Sequence, residues 1–176
     1  MITSGDWLSP TRASGLLAYG TAFVCCAIAW QRIKTRLSAV LMGIEAVLLL
    51  DIAFNWRWKL HDVVGTIARN QNEYGQRRGP QAIALVILGG LLLAGLFAVL
   101  RIFRNRPGSL LAVSGVLVSV ISWCVEVVSL HAVDHILYHP LGPCMVISLV
   151  WILGCLMTSG GVLIDYRQFK VRRIVR

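Results

Sequence analysis

Charge is scarce in this chain. Lys, Arg, Asp and Glu together make up 14% of its 176 residues, and only eight of those are acidic. A soluble domain carries about 25% charged residues, enough to coat an apolar core, and this composition excludes such a coat. The motifs of common soluble chemistry are missing too. There is no Walker loop, no GxGxxG and no GxSxG, and the paired broken helices of inverted-repeat transporters are absent. Cysteine is present five times but never as CxxC. Cys25, Cys26, Cys124 and Cys155 lie inside apolar runs, where a thiol serves as a small packing residue, and Cys144 has no evident partner. A disulfide framework and a cysteine-ligated metal are therefore not expected.

What fills the space is hydrophobic. Apolar residues make up 57% of the chain, and the mean hydropathy is +0.72. Uncharged runs occupy 13–31, 82–100, 107–125 and 141–164, close to or above the roughly 20 residues that a bilayer helix needs. A fifth, "AVLMGIEAVLLLDIAFNW", is broken only by Glu45 and Asp51. The expected fold is all-α: a single polytopic membrane domain of five helices, spanning about 13–31, 38–58, 82–103, 108–135 and 141–164. The first run has more positive charge after it than before, which suits a retained helix rather than a cleaved signal. Helix two is expected to continue outward to about Asn70. "LGGLLLAG" (88–95) and "TSGG" (158–161) supply small residues for close helix packing.

The net charge of +9 has a topological reading. With five spans, the turn at 31–37, "RIFRNR" and the tail "YRQFKVRRIVR" share one side of the membrane and hold eleven of the seventeen basic residues. The positive-inside rule makes that side cytoplasmic and puts the N-terminus outside. A cell inner (plasma) membrane is the expected location. Lipid is the expected partner, with a homo-oligomer or other membrane subunits as further candidates, and nothing calls for nucleic acid.

The titratable residues are unevenly placed. "EVVSLHAVDHILYHP" (126–140) packs Glu126, Asp134, His131, His135 and His139 behind nineteen uncharged residues, and His61 falls at the same outer level. Measured from Trp58 and His135, Glu45 and Glu126 lie about 20 and 14 Å deep at 1.5 Å per residue. Asp51, Asn55, Trp58 and Asp62 form one stripe at helical spacing, and His131, His135 and His139 form another, flanked by Asp134 and Tyr138. The two stripes are expected to face each other. Glu45 and Glu126 fall off them and are expected to be a separate feature.

Three function classes follow. The first is a metal centre, zinc or non-haem iron, held by His61, His131 and His135 with Asp51 and Glu126, since histidines at i and i+4 suit a first-row metal. Asp51 or Asp134 would be its catalytic base, and the substrate a lipid or other amphiphile. The second is an electron-transfer or proton-handling subunit. His61 opposite His131 or His135 would clamp a haem, with Arg57, Arg77 or Arg78 on its propionates; Trp56, Trp58 and Tyr138 would wall a quinone; or the deep glutamates would carry protons as neutral acids. The third is a structural or assembly protein in which Glu45, Asp51 and Glu126 pair with Arg57, Lys59 or histidines and lock the helices together. "FNWRWKLHD" also suits an interfacial anchor of tryptophans and snorkelling cations.

Overall fold

The computed structural model describes residues 9–57, 59, 63, 66, 78–128 and 131–174. Five of its helices are long and apolar enough to cross a membrane. The chain is a multi-pass helical membrane protein, as its apolar runs predict.

α1 (Pro10–Ile33) starts where Ser9 caps it: the Ser9 hydroxyl accepts from the Arg12 N–H at 3.3 Å, and Pro10 occupies a first-turn position needing no donor. It stops at Lys34, whose left-handed φ of 59° turns its N–H back onto the Trp30 carbonyl. One residue later Thr35 caps α2 (Arg36–Phe54), accepting from the Ser38 N–H at 3.2 Å. So short a turn forces α1 and α2 into an antiparallel pair. α2 in turn stops at Asn55, also left-handed at φ 58°. Arg12 satisfies the carbonyls freed at that end, donating from Nε to Ile52 O at 3.1 Å and from Nη2 to Ala53 O at 2.5 Å.

α3 (Arg78–Phe103) and α4 (Pro107–Val128) make a second antiparallel pair. A short helix α5 (His131–Leu137) follows, then a two-residue hairpin of β1 (Pro140–Leu141) and β2 (Cys144–Met145) around Gly142. α6 (Val146–Ile174) closes the chain. Its 29 residues span about 44 Å at 1.5 Å each, so it outruns a 30 Å hydrocarbon core and carries its basic tail clear of the lipid.

α1, α2, α4 and α6 enclose the core, and α3 packs on the outside of α4. Only 6% of the α3 window is buried, against 50% for α6, so α3 is the most exposed of the five spans. The seam between α4 and α6 has room for little more than backbone. A Cβ on Gly115 would lie 2.5 Å from Gly154 O and 2.6 Å from Thr158 N, and one on Gly161 would strike the backbone of Gly108 and Ala112. "TSGG" thus packs as expected through Thr158 and Gly161. "LGGLLLAG" does so only through Gly95, which meets Leu117; Gly89 and Gly90 face open space.

Three expected boundaries shift. Helix two was expected to span 38–58 and then extend outward or bend along the surface to about Asn70; it breaks at Asn55, inside that span, and Trp56, Arg57, Lys59, Val63 and Thr66 resume helical conformation beyond the break. The fourth span ends at Val128 rather than 135, with α5 a separate piece. The last begins at Val146, because Pro140, Gly142 and Pro143 make a hairpin where the apolar run had suggested helix.

Candidate functional site

The break at Asn55 creates the main polar cluster of the described residues. It folds the chain back so that Arg57 reaches inward. The Arg57 backbone N–H donates to Asp51 Oδ1 at 2.9 Å, its Nε to Asp51 Oδ2 at 2.7 Å and its Nη1 to Glu126 Oε2 at 2.6 Å. All three residues are buried. Glu126 also accepts from the Trp151 indole N–H at 3.1 Å and the Tyr138 hydroxyl at 3.3 Å. The Arg57 guanidinium lies 5.1 Å from the Trp151 ring centre. Trp151 itself fits only because Gly15 has no side chain: a Cβ there would sit 2.8 Å from the indole.

Two carboxylates around one guanidinium leave the cluster with a formal charge of −1, which the Trp151 and Tyr138 donors help to hold. Burial works against a charged Arg57, but the Glu126 and Asp51 carboxylates outweigh it and hold the guanidinium above its ordinary value. Burial, reinforced by Glu126 and Asp134, likewise pushes the Tyr138 phenol up, so it stays a donor.

This geometry corrects one expectation. Glu126 is not separate from Asp51, because Arg57 bridges them. The stripe angles assumed a straight helix through Asn55, and the left-handed residue there rotates everything beyond it. The pairing expected of a helix-locking role does occur for Asp51 and Glu126, but not for Glu45.

Other candidates are dispersed. His135 and His139 are exposed, their rings 6.4 Å apart. Tyr138 turns to Glu126 rather than outward. Arg57 is engaged with two carboxylates rather than presented to a propionate or headgroup. Trp56 is exposed and stacks on Phe54 at 5.6 Å, away from Tyr138, which is bonded to Glu126. Asp134 is partly buried on α5. Trp58, His61, Asp62 and Arg77 lie outside the described residues, as do the side chains of Arg78 and His131. Among the described residues no group of three or more His, Cys, Asp or Glu side chains is placed to hold a metal ion. Asp51 and Glu126, both assigned to that centre from the sequence, carry Arg57 instead.

Glu45 stands apart. Its side chain is fully enclosed (0% exposed), and neither carboxyl oxygen has a hydrogen-bond partner. Thr158 flanks it from α6, but the Thr158 hydroxyl donates to Gly154 O at 3.0 Å. Cys26 of α1 and Cys155 of α6 are its other polar neighbours. Ser119 of α4, across the same seam, also leaves its hydroxyl unpartnered. A buried polar side chain without a partner is rare and calls for an explanation.

Trp151, Gly15 and Tyr19 shape this interior without any sequence motif to mark them. The one signal was the indole of Trp151, a polar N–H inside an apolar run that had to find an acceptor. Comparison of the chain with protein-family models, curated proteins and solved structures finds no match to any of them.

Proposed function

We propose that the chain is a proton-handling membrane protein in which Glu45 binds and releases a proton inside the bundle. The observation that carries this reading is the enclosed Glu45 carboxyl with both oxygens unpartnered. An unpaired charge inside hydrocarbon costs at least about 2.5 kcal/mol even on lenient insertion scales. A structural role would have supplied a cation, as Arg57 is supplied to Asp51 and Glu126. A residue that alternates between acid and carboxylate needs none in its resting, neutral form. The basic end of the bundle lies in the cytoplasm on this reading, and the outward face of α3 meets lipid. A metal-dependent enzyme is the weaker reading, because Asp51 and Glu126 are engaged by Arg57.

Proton flux into vesicles is the test. Purified chain reconstituted with a trapped pH dye should collapse an imposed pH gradient, and Glu45→Gln should slow this by about a hundredfold, the lower range for losing a proton-transferring group. Equal flux in wild type and Glu45→Gln would sink the reading.

A further inference from the structure

We propose that in this packing of the helices Glu45 exchanges its proton with the basic end of the bundle, through a cavity that stops one helical turn short of its carboxyl, and that release to the other side requires the buried layer beyond Glu45 to open. The inference rests on the proton-handling reading of Glu45 and adds a direction to it.

The cavity holds about 350 Å³, room for several waters. Its rim is formed by Thr35 from the α1–α2 turn, Asn105 and Arg106 from the α3–α4 turn, and Gln168 of α6. All four are exposed, so the cavity opens to solvent at the basic end. Ser38, Ser109 and Asp165 line its wall with polar atoms, Ser109 donating to Asp165 at 2.6 Å.

Its floor falls at the same level on four helices. The floor residues are Ala29 of α1, Leu41 of α2, Ala112 of α4 and Val162 of α6. Three or four residues further along each helix come Cys26, Glu45, Gly115 and Thr158. That is one turn, about 5 Å of helix rise, on every side. Two of the four floor residues are alanines, and the layer beyond includes Cys26 and Gly115. The barrier between cavity and carboxyl is therefore about one turn thick, a buried layer of Cys26, Ala29, Leu41, Ala112, Val116 and Val162 in which no aromatic ring takes part.

Beyond Glu45 the packing is different. Tyr19, Leu48, Ile52, Ile147, Trp151 and Cys155 form a buried cluster that separates Glu45 from Arg57, Asp51 and Glu126. Large rings and branched chains fill this layer, and the ion pairs seal its far side.

The groups that face Glu45 supply no counter-cation. α1 brings Cys26 and Tyr19, and α6 brings Cys155 and Thr158. α4 brings Gly115 and Ser119 at this level, its Glu126 lying about 10 Å of helix rise beyond Ser119. For exchange the floor side chains must part far enough for a cavity water to meet the carboxyl; that water then gives its proton to the carboxylate as hydronium and takes it back from the acid, with no other group changed.

Cysteine accessibility tests the direction without relying on flux. On a background with the five native cysteines replaced by alanine, single cysteines are introduced and the protein is placed in vesicles. Asn105→Cys marks the basic end and His139→Cys the other. The probe is a negatively charged, membrane-impermeant methanethiosulfonate. From the basic end it should modify Ser38→Cys readily and Glu45→Cys at least tenfold more slowly. From the other end it should modify Glu45→Cys and Leu48→Cys at least tenfold more slowly than it modifies Glu45→Cys from the basic end. Modification of Glu45→Cys from the His139 side as fast as or faster than from the basic end would overturn the proposal. So would a Ser38→Cys or a Glu45→Cys that stays silent from the basic end. Either failure would leave the loss of flux in Glu45→Gln standing, whereas unchanged flux in that variant would remove the function even if the cavity proved open.

Discussion

Arg57 serves two carboxylates from different parts of the chain, and its removal exposes what each was owed. With Arg57→Met, Asp51 and Glu126 would remain enclosed as like charges with no cation between them. Truncating one partner of a buried ion network costs about 3–5 kcal/mol, and unfolding in mixed micelles should show a loss of that order. Arg57→Lys keeps the charge but not the two-sided fork that donates from Nε and Nη1 at once, so it should fall between. The informative variant combines Arg57→Met with Asp51→Asn and Glu126→Gln. It removes every charge of the network together and should recover most of the loss, because replacing a whole buried ion cluster with uncharged groups is often near neutral. A triple variant no better than Arg57→Met alone would show that the network acts through something other than charge balance.

At the scale of elements, α4 and α6 depend on glycine where they touch. Gly115→Leu would drive a side chain into the Gly154 carbonyl and the Thr158 N–H, both backbone and unable to yield. Overpacking of this kind costs about 1–3 kcal/mol or more. Gly89→Leu, with nothing within 4 Å, should change stability by less than about 0.5 kcal/mol. Thermal unfolding in mild detergent compares the two. The five spans were legible because a helix in lipid must be apolar over its length, and composition alone reports that. The candidate site was legible only in part. Asp51, Glu126 and Arg57 were recognisable as expensive residues, but their meeting depended on a single left-handed residue, and Asn is a known helix terminator that the apolar run around it disguised. Glu126 was set apart by its angle to His131 on one continuous helix, but the helix that carries Glu126 ends at Val128 and His131 begins another. The histidine stripe was drawn on one continuous helix. HxxxH on an apolar segment resembles a ligand pair, but α5 is a separate helix of seven residues on which His135 is exposed, and the side chains of His61 and His131 lie outside the described residues.

For the whole molecule, charge asymmetry and the cavity point the same way. The cavity opens at the end of the α1–α2 and α3–α4 turns, which carry Arg32, Lys34, Arg36, Arg101, Arg104 and Arg106, and the positive-inside rule predicts that this end is cytoplasmic. In intact cells Asn105→Cys should therefore resist an impermeant thiol reagent until the membrane is opened, while His139→Cys reacts at once. The reverse labelling would turn the cavity outward and reverse the direction of exchange. The Arg57 network also spans the chain in a second sense, that of time. Asp51 and Arg57 are six residues apart, whereas Arg57 and Glu126 are separated by 69. At about 5–20 residues per second of synthesis, Glu126 emerges roughly 3–14 seconds after Arg57. A nascent α2 hairpin thus enters the bilayer with Asp51 and Arg57 already neutralising one another. Glu126 brings the surplus negative charge only when α4 arrives, and Trp151 and Tyr138, later still, supply the donors that hold it. The order in which the ribosome releases these residues is the order in which each new charge finds its partner waiting.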